Sequence, residues 1–425
     1  MTSTPPLLDD LAARGLVGQS TDVGALGAAL STGQVTGYCG FDPTAPSLHM
    51  GNLLQILTLR RLQLAGHRPL GIVGGATGLI GDPKDSGERR LNPAETVAEW
   101  SRHLRGQLER FLDFSGSAAA VVVDNYEWTR DLVTLDFLRD IGKHFSVNRM
   151  LDRDAVRTRL ERGGISYTEF SYVLLQAMDY LELFRRFGCT LQSGGSDQWG
   201  NITAGVELIR RVEGARVHAF ATPLITKADG SKFGKTESGT IWLDPALTSP
   251  YAFHQFFLNA ADSEVLALLR FFTFRSAEEI TELGDSLATR PGQREAQRAL
   301  ADDVTALVHG EDEAARARVA ASALFGDGDL GAVDERTLHA ALAEVPHIQV
   351  EAGDELPTAT DLFVATALVP SRSAARRAVN EGGAYLNNVR LDDADARPHV
   401  EQLLHGRWLV LRRGKRTVAG VELRR

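Results

Sequence analysis

YCGFDPTAPSLHMGN, residues 38–52, carries the chain out of a buried strand and into a helix. The strand is QVTGYCGF (34–41), and Pro43, Pro46 and Ser47 break it. Ser47 reads as the N-cap of SLHMGNLLQILTLRRLQLAG (47–66), where Leu53, Leu54, Leu57 and Leu64 recur at helical spacing and Gly66 stops the helix. His49, Gly51 and Asn52 then occupy the first helical turn. Free backbone N–H groups and the helix dipole favour phosphate there. Gly51 lacks a side chain, so a planar base can approach its backbone.

Outward from this junction, strands and helices alternate. Strands are expected at 69–75, 118–124, 189–195 and 217–225, and helices at 93–114, 168–187 and over ITAGVELIRRV (202–212). The 93–114 helix carries Val97, Trp100, Leu104, Leu108 and Phe111 on one stripe. This alternation predicts an α/β fold with a doubly wound parallel sheet. From about 245 to 325 the pattern turns helical, a less regular piece follows, and a small basic unit fills about 358–425. The 425 residues suggest two to four domains at roughly 100–200 residues each.

With 43% hydrophobic and 24% charged residues, the composition is that of an ordinary globular protein, which excludes a disordered, collagen-like or disulfide-scaffold chain. Cys39 and Cys189 form no CxxC pair, so a reducing compartment and no structural zinc are expected. MTSTPPLLDDLAARG has neither a basic n-region nor a long apolar h-region, and no run approaches the ~18 apolar residues of a membrane span. A cytosolic location without a membrane partner is expected. The net charge of −9 argues against bulk nucleic-acid binding. Residues 361–425, however, carry 12 Lys/Arg against 7 Asp/Glu, a balance of +5, which leaves the rest, 34 against 48, at −14. Charge alone still favours a solvated surface over a polyanion site.

Three glycine-rich stretches invite nucleotide-loop readings. GIVGGATGLIGD (71–82) spaces its glycines Gly75-x-x-Gly78-x-x-Gly81, so the first interval of the dinucleotide fingerprint is wrong. GSKFGKT (230–236) has three residues between Gly230 and Gly234 where a Walker A loop needs four. GSDQWGN (195–201) has the interval but places Asn201 where lysine is required. A different constellation uses all three. KFGKT (232–236) follows the last strand of the sheet and offers Lys232, Lys235 and Thr236 on a loop. Two ammonium groups on a mobile loop suit a leaving pyrophosphate.

HMGN and KFGKT resemble the HIGH and KMSKS signatures of class I aminoacyl-tRNA synthetases. Either alone is weak; their order and placement after the first and last strands strengthen the pair. With VGGATGLIGDP, DNYEW, SYTEFSYVLLQAMDY and LQSGGSDQWGNI, the stretch 38–236 resembles the bacterial-type tyrosyl-tRNA synthetase family. The resemblance implies a HUP/Rossmann-like catalytic domain at 1–225 with a connecting insertion at about 127–165. It implies a signature loop and helical anticodon-side domain at 226–330, a linker at 331–357 and an S4-like α+β RNA-binding domain at 358–425. It also implies tyrosine–tRNA ligase activity, ATP with Mg2+ as a substrate complex and no tightly bound organic cofactor. The partners it implies are L-tyrosine, ATP and tRNA(Tyr), with a homodimer interface in the 127–165 insertion.

In the 168–187 helix, Tyr172, Gln176 and Asp179 stand at i, i+4 and i+7 and so share a face. Tyr38 and Asp82 sit at strand ends of the edge where open α/β sheets bind ligands. By resemblance, Tyr38 and Asp179 hydrogen-bond the substrate phenol. Tyr172, Gln176 and Asp82 hold its α-ammonium, and Asn125 and Gln198 are further polar groups of the pocket. The ATP side takes Cys39, Gly40, Asp42, His49, Gly51, Asn52, Arg89, Gly195, Asp197 and Lys235. Thr44, His49, Asn52, Lys232, Lys235 and Thr236 act on the transferring phosphate. Asn52 replaces the second histidine of HIGH, and KFGKT keeps both lysines of KMSKS. The loop KDSGERRLN (84–92) is one residue shorter than the common version, with Arg89 its matching arginine and the lysine role open at Lys84. Arg372, Arg376, Arg377, Arg412, Arg413 and Lys415 are the expected RNA contacts. The alternatives are a tryptophanyl-tRNA synthetase or other class I nucleotidyltransferase, and an RNA-binding protein on a retired synthetase scaffold.

Overall fold

The structure is a computed structural model that describes residues 6–83, 87, 90–226, 233–236, 239–326, 328–351, 356–414 and 417–424. The chain divides into two compact units, Met1–Asp244 with Arg270–Phe274, and Pro245–Leu269 with Arg275–Arg425.

The first unit is built on six strands: β1 (Gln19–Ser20), β2 (Thr36–Phe41), β3 (Arg68–Val73), β4 (Val121–Asp124), β5 (Cys189–Gly195) and β6 (His218–Thr222). Their order is β1-β6-β5-β2-β3-β4. All neighbours from β6 to β4 are parallel, and only the two-residue edge strand β1 is antiparallel. The β2, β3 and β5 strands are buried almost throughout, as a sheet covered on both faces requires. The register aligns Phe41 with Val73, Val73 with Asp124, and Gly195 with Thr222, so the carboxyl ends form one level edge. The chain leaves β2 toward β3 on one side, and β5 lies on its other side. This is a topological switch point, where such sheets open a crevice.

Four longer helices follow strands: α1 (Met50–Leu64), α2 (Ala94–Glu109), α3 (Tyr167–Phe187) and α4 (Trp199–Glu213). The stripe Val97, Leu104 and Leu108 of α2 is buried, as its spacing predicts. Gly188, with φ 62°, ends α3 in the left-handed region that a side chain would oppose. At the start of α1 the structure differs from expectation. His49, not Ser47, is the N-cap. Ser47 is drawn inward, where its hydroxyl donates to Leu48 O and accepts from Gln107 Nε2 and Asp244 N.

A short antiparallel pair joins β7 (Lys235–Thr236) to β8 (Gly239–Thr240).

The second unit begins with helices Pro250–Leu258, Ala277–Thr289, Glu295–His309, Glu311–Phe325 and Glu335–Ala343. It ends in a five-stranded sheet of order β11-β10-β12-β13-β9. The strands are β9 (His347–Glu351), β10 (Ala384–Leu386), β11 (Val389–Arg390), β12 (Trp408–Arg413) and β13 (Thr417–Arg424). Within the expected linker at 331–357, Glu335–Ala343 forms a helix and His347–Glu351 a strand that pairs parallel with β13. Alternate β12 and β13 residues serve two cores. Trp408, Val410 and Val418 pack with Tyr251, Ala317 and Leu338, while Leu409, Leu411, Ala419 and Val421 pack with Leu362, Phe363 and Ala375. Among the described residues no helix is long and apolar enough to cross a membrane.

Candidate active site

A cleft of about 620 Å³ opens at the carboxyl edge of the first unit's sheet. That size suits a small-molecule site. Tyr38, Cys39, Gly40, Asp42, Thr44, His49, Gly51, Asn52, Asp82, Asn125, Tyr172, Gln176, Asp179, Gly195, Asp197 and Gln198 all line it. The sequence expected each of them at a substrate. Arg89, Lys84, Lys232 and Lys415 lie outside the described residues, and Lys235 and Thr236 are described by their backbone alone.

One end of the cleft is buried and polar. Tyr38 is 1% exposed and Asp179 4%. The Tyr38 hydroxyl, Gln176 Oε1 and Gln192 Oε1 are buried and find no hydrogen-bond partner among the described residues. Each such atom left unmatched costs about 1–3 kcal/mol, so three in one cleft mark groups that a polar ligand completes.

Asp179 is held on both oxygens. Trp128 Nε1 donates to Oδ1 at 2.9 Å and Asn125 Nδ2 donates to Oδ2 at 2.9 Å. Burial pushes this carboxyl up to about 7, while the Asn125 and Trp128 donors pull the other way. Asn125 also donates to Thr77 Oγ1 at 3.0 Å and accepts from Ala76 N at 2.7 Å. Its hydrogen-bonding groups are thus engaged by the protein, and it lines the cleft while holding Asp179. Thr77 Oγ1 donates to Asp42 Oδ1 at 2.7 Å, and the Tyr172 hydroxyl donates to Asp42 Oδ2 at 2.6 Å. Tyr172 and Asp42, expected at different substrates, are therefore bonded to each other. The glycines of the 74–81 loop permit this packing. A Cβ on Gly74 would lie 1.9 Å from Asp42 Oδ1, and one on Gly78 would lie 2.8 Å from Pro43.

Gln198 is likewise committed: its Nε2 donates to Asp82 Oδ2 at 2.8 Å. Burial raises the Cys39 thiol to about 12, which keeps it neutral.

At the other end, HMGN forms a reciprocal cap on α1. The Gly51 N–H donates to His49 Nδ1 at 3.1 Å, and the His49 N–H donates to Asn52 Oδ1 at 3.1 Å. A neutral imidazole that accepts at Nδ1 carries its proton on Nε2, so the ring presents a donor. The signature loop packs on this turn. Met50 N donates to Ile241 O, Ile241 N donates to Gly234 O, and His49 bridges Trp242. Gly234 sits at φ 83°, and a Cβ there would meet Met50 Cβ at 2.7 Å. Phe233 and Gly234 of KFGKT thus line the same cleft as HMGN.

The basic residues of the second unit separate into two groups. Arg372 and Arg376 are exposed and paired with Asp361 and Asp395, Arg377 is exposed, and Arg413 Nη1 donates to Leu368 O. Arg412 departs from expectation. It is 9% exposed, with its guanidinium 4.4 Å from the centre of the Tyr385 ring, so it packs inside rather than facing a phosphate.

Sequence reading did not single out Trp128, Thr77, Gln192, Asn201 or Arg153. Trp128, Thr77, Gln192 and Asn201 all lie in the quoted stretches DNYEW, VGGATGLIGDP and LQSGGSDQWGNI, whereas Arg153 carries no local signal.

The family described as "tRNA synthetases class I (W and Y)" matches residues 30–326, and "Tyrosine--tRNA ligase SYY-like C-terminal domain" matches residues 337–419. A tyrosine–tRNA ligase of Streptomyces avermitilis is 60% identical over 98% of this chain and 99% of that protein. One of Kineococcus radiotolerans is 61% identical over 97% of each. The chain belongs to the tyrosine–tRNA ligase family. It is a class I aminoacyl-tRNA synthetase. A solved C-terminally truncated mitochondrial tyrosyl-tRNA synthetase of Aspergillus nidulans superposes on this synthetase with a TM-score of 0.68. It is 31% identical, covering 74% of this chain and 93% of that one. A tryptophanyl-tRNA synthetase of Encephalitozoon cuniculi, 13% identical with a TM-score of 0.54, shares the fold with this synthetase.

Proposed function

We propose that the cleft activates L-tyrosine with ATP and that the chain passes the tyrosyl group to the 3′ end of tRNA(Tyr). The observation that carries the choice of amino acid is the buried Tyr38 hydroxyl without a partner, in the same cleft as the doubly held Asp179. A phenol donates to Asp179 and accepts from Tyr38. Phenylalanine leaves both unmatched, and a site built for a hydroxyl rejects strongly the analogue that lacks it. Asp82, Gln176 and Tyr172 take the α-ammonium.

In the first step a tyrosine carboxylate oxygen bonds to the α-phosphorus, and the bond from that phosphorus to the pyrophosphate oxygen breaks. The carboxylate is ionised at neutral pH, so no general base is required. The chain's part is positioning and charge stabilisation. The His49 Nε2 donor, the amide of Asn52, Thr44 and the start of α1 meet phosphate oxygens. Lys232, Lys235, Thr236 and Arg89 add charge and donors from the loops, and Gly51 lets the base lie flat. Cys39, Gly40, Asp42, Gly195 and Asp197 line the nucleoside side. Magnesium enters with ATP as part of the substrate. In the second step a terminal ribose hydroxyl attacks the tyrosyl carbonyl and AMP leaves.

The tRNA is held by the second unit. Its helical part serves the anticodon side, and its terminal sheet is S4-like, with Arg372, Arg376, Arg377, Arg413 and Lys415 toward phosphates. A homodimer forms through the 127–165 insertion, whose exposed Val133, Leu135, Leu138, Val147 and Leu160 support an apolar interface. The protein works in the cytoplasm without zinc. Incubation with ATP and labelled tyrosine followed by gel filtration tests the reading. Tyrosyl-adenylate should co-elute with the protein, whereas tRNA binding without any adenylate would leave an RNA-binding protein on a synthetase scaffold.

A further inference from the structure

Asp82 does not stand alone at the cleft. It follows Gly81 in the loop after β3, and both of its oxygens accept hydrogen bonds from the α4 end of the site. Gln198 Nε2 donates to Oδ2 at 2.8 Å and Asn201 Nδ2 donates to Oδ1 at 3.1 Å. Asn201 Nδ2 also lies 3.2 Å from Gln198 Oε1, which closes a triangle of side chains. Behind it, Arg153 Nη1 donates to Asn201 Oδ1 at 2.8 Å and Nη2 donates to Gly200 O at 2.6 Å.

This order fixes the amide. A guanidinium only donates and a carboxylate only accepts, so an asparagine between them has one satisfactory orientation, oxygen toward Arg153 and nitrogen toward Asp82. Arg153 is the N-cap residue of the Asp154–Arg162 helix, within the insertion rather than the sheet. Burial draws its guanidinium down to about 10, with the Asp82 charge acting against that fall, so it remains charged at neutral pH. Neither Arg153 nor Asn201 is among the described residues that line the cleft. They reach a ligand only through Asp82 and Gln198.

We infer that Asn201 and Arg153 are positioning residues that orient the Asp82 carboxylate toward the α-ammonium of the amino acid. This rests on the assignment of Asp82 to that ammonium. A carboxylate held by neighbours before binding loses less freedom when the ammonium arrives, so releasing it weakens ammonium recognition selectively. It also ties the insertion segment to the amino-acid site through a chain of hydrogen bonds.

Two inhibitors of tyrosine-dependent ATP–pyrophosphate exchange separate the possibilities. Tyramine keeps the ammonium and lacks the carboxylate; 3-(4-hydroxyphenyl)propionate lacks the ammonium. Asn201→Ala and Arg153→Ala should raise the tyrosine KM and the tyramine Ki by roughly 5- to 30-fold. The Ki of the ammonium-free analogue and the KM of ATP should stay within about 2-fold, since the hydrogen bonds lost are those that hold Asp82, Gln198 and Gly200 in place, not ones made to the phenol or to phosphate. Arg153→Lys, which keeps the charge without the fork, should recover part of the loss. Asp82→Asn should weaken tyramine more than any of them. Equal weakening of both inhibitors in Asn201→Ala and Arg153→Ala, or unchanged tyramine binding there while Asp82→Asn is impaired, overturns the positioning role. Unchanged tyramine binding in Asp82→Asn overturns the ammonium assignment itself, and the positioning role with it. If an alanine variant fails to fold, Arg153→Lys and Arg153→Gln carry the same comparison.

Discussion

On the proposed reading, Asp179 carries specificity and pH dependence together. Its carboxyl is raised from the ordinary 3.8 to about 7 because burial outweighs the Asn125 and Trp128 donors. A raised carboxyl contributes stability that is fully present below its unfolded value near 4 and is lost as pH rises through about 7. The substrate phenol needs the ionised form as acceptor, so binding should improve over the same window. The tyrosine KM should therefore fall between pH 6 and 8, and Asp179→Asn should flatten that profile. The stability of Asp179→Asn relative to the parent, from urea midpoints, should move in favour of the variant as pH rises. Trp128→Phe removes a donor worth about 1.5–3 kcal/mol to a charged acceptor, so the tyrosine KM should rise roughly 10- to 100-fold with the ATP KM unchanged. The sequence disclosed Asp179, because its spacing from Tyr172 and Gln176 is a local property of one helix. It did not disclose the Asn125 and Trp128 bonds, which join residues 54 and 51 positions away.

Between residue and fold stand the cap of α1 and the loop that follows β3. HMGN was read as a phosphate-facing helix start, and the structure adds that His49 and Asn52 cap that helix themselves. Asn52→Ala removes one half of the cap and should lower stability by about 1 kcal/mol in urea denaturation, in addition to any loss of activity. The glycines of 74–81 matched no nucleotide fingerprint, and packing accounts for them: Gly74 lets Asp42 lie against the loop. Gly74→Ala should displace Asp42 from Thr77 and Tyr172, cut exchange activity at least about 10-fold, and lower stability by the roughly 1–3 kcal/mol typical of overpacking. Strand and helix positions were legible because periodicity and breakers are local. The N-cap was misplaced to Ser47, because Ser47 is drawn away by Gln107 and Asp244, partners that no local pattern reveals.

At the scale of the whole chain, the described residues that line the cleft all belong to the first unit, whereas the terminal sheet shares a core with the helices of its own unit. A chain ending at about 355 should therefore keep adenylate formation and lose tRNA charging. Its helical part should melt at a lower temperature once Trp408, Val410 and Val418 no longer cover it, which calorimetry would record. The segment 331–357 read as a linker because its pattern is less regular than that of the helical stretch before it. Its strand lies at a sheet edge and gains its partner from β13, some 70 residues later. Leu135→Glu, at a side chain 75% exposed, should shift sedimentation toward a monomer if the insertion is the dimer contact. The central claim is tested most directly by ATP–pyrophosphate exchange with the full chain and each of tyrosine, phenylalanine and tryptophan. Exchange driven by tyrosine and not measurably by the other two is predicted; exchange driven by tryptophan, or by none of the three, would contradict the account.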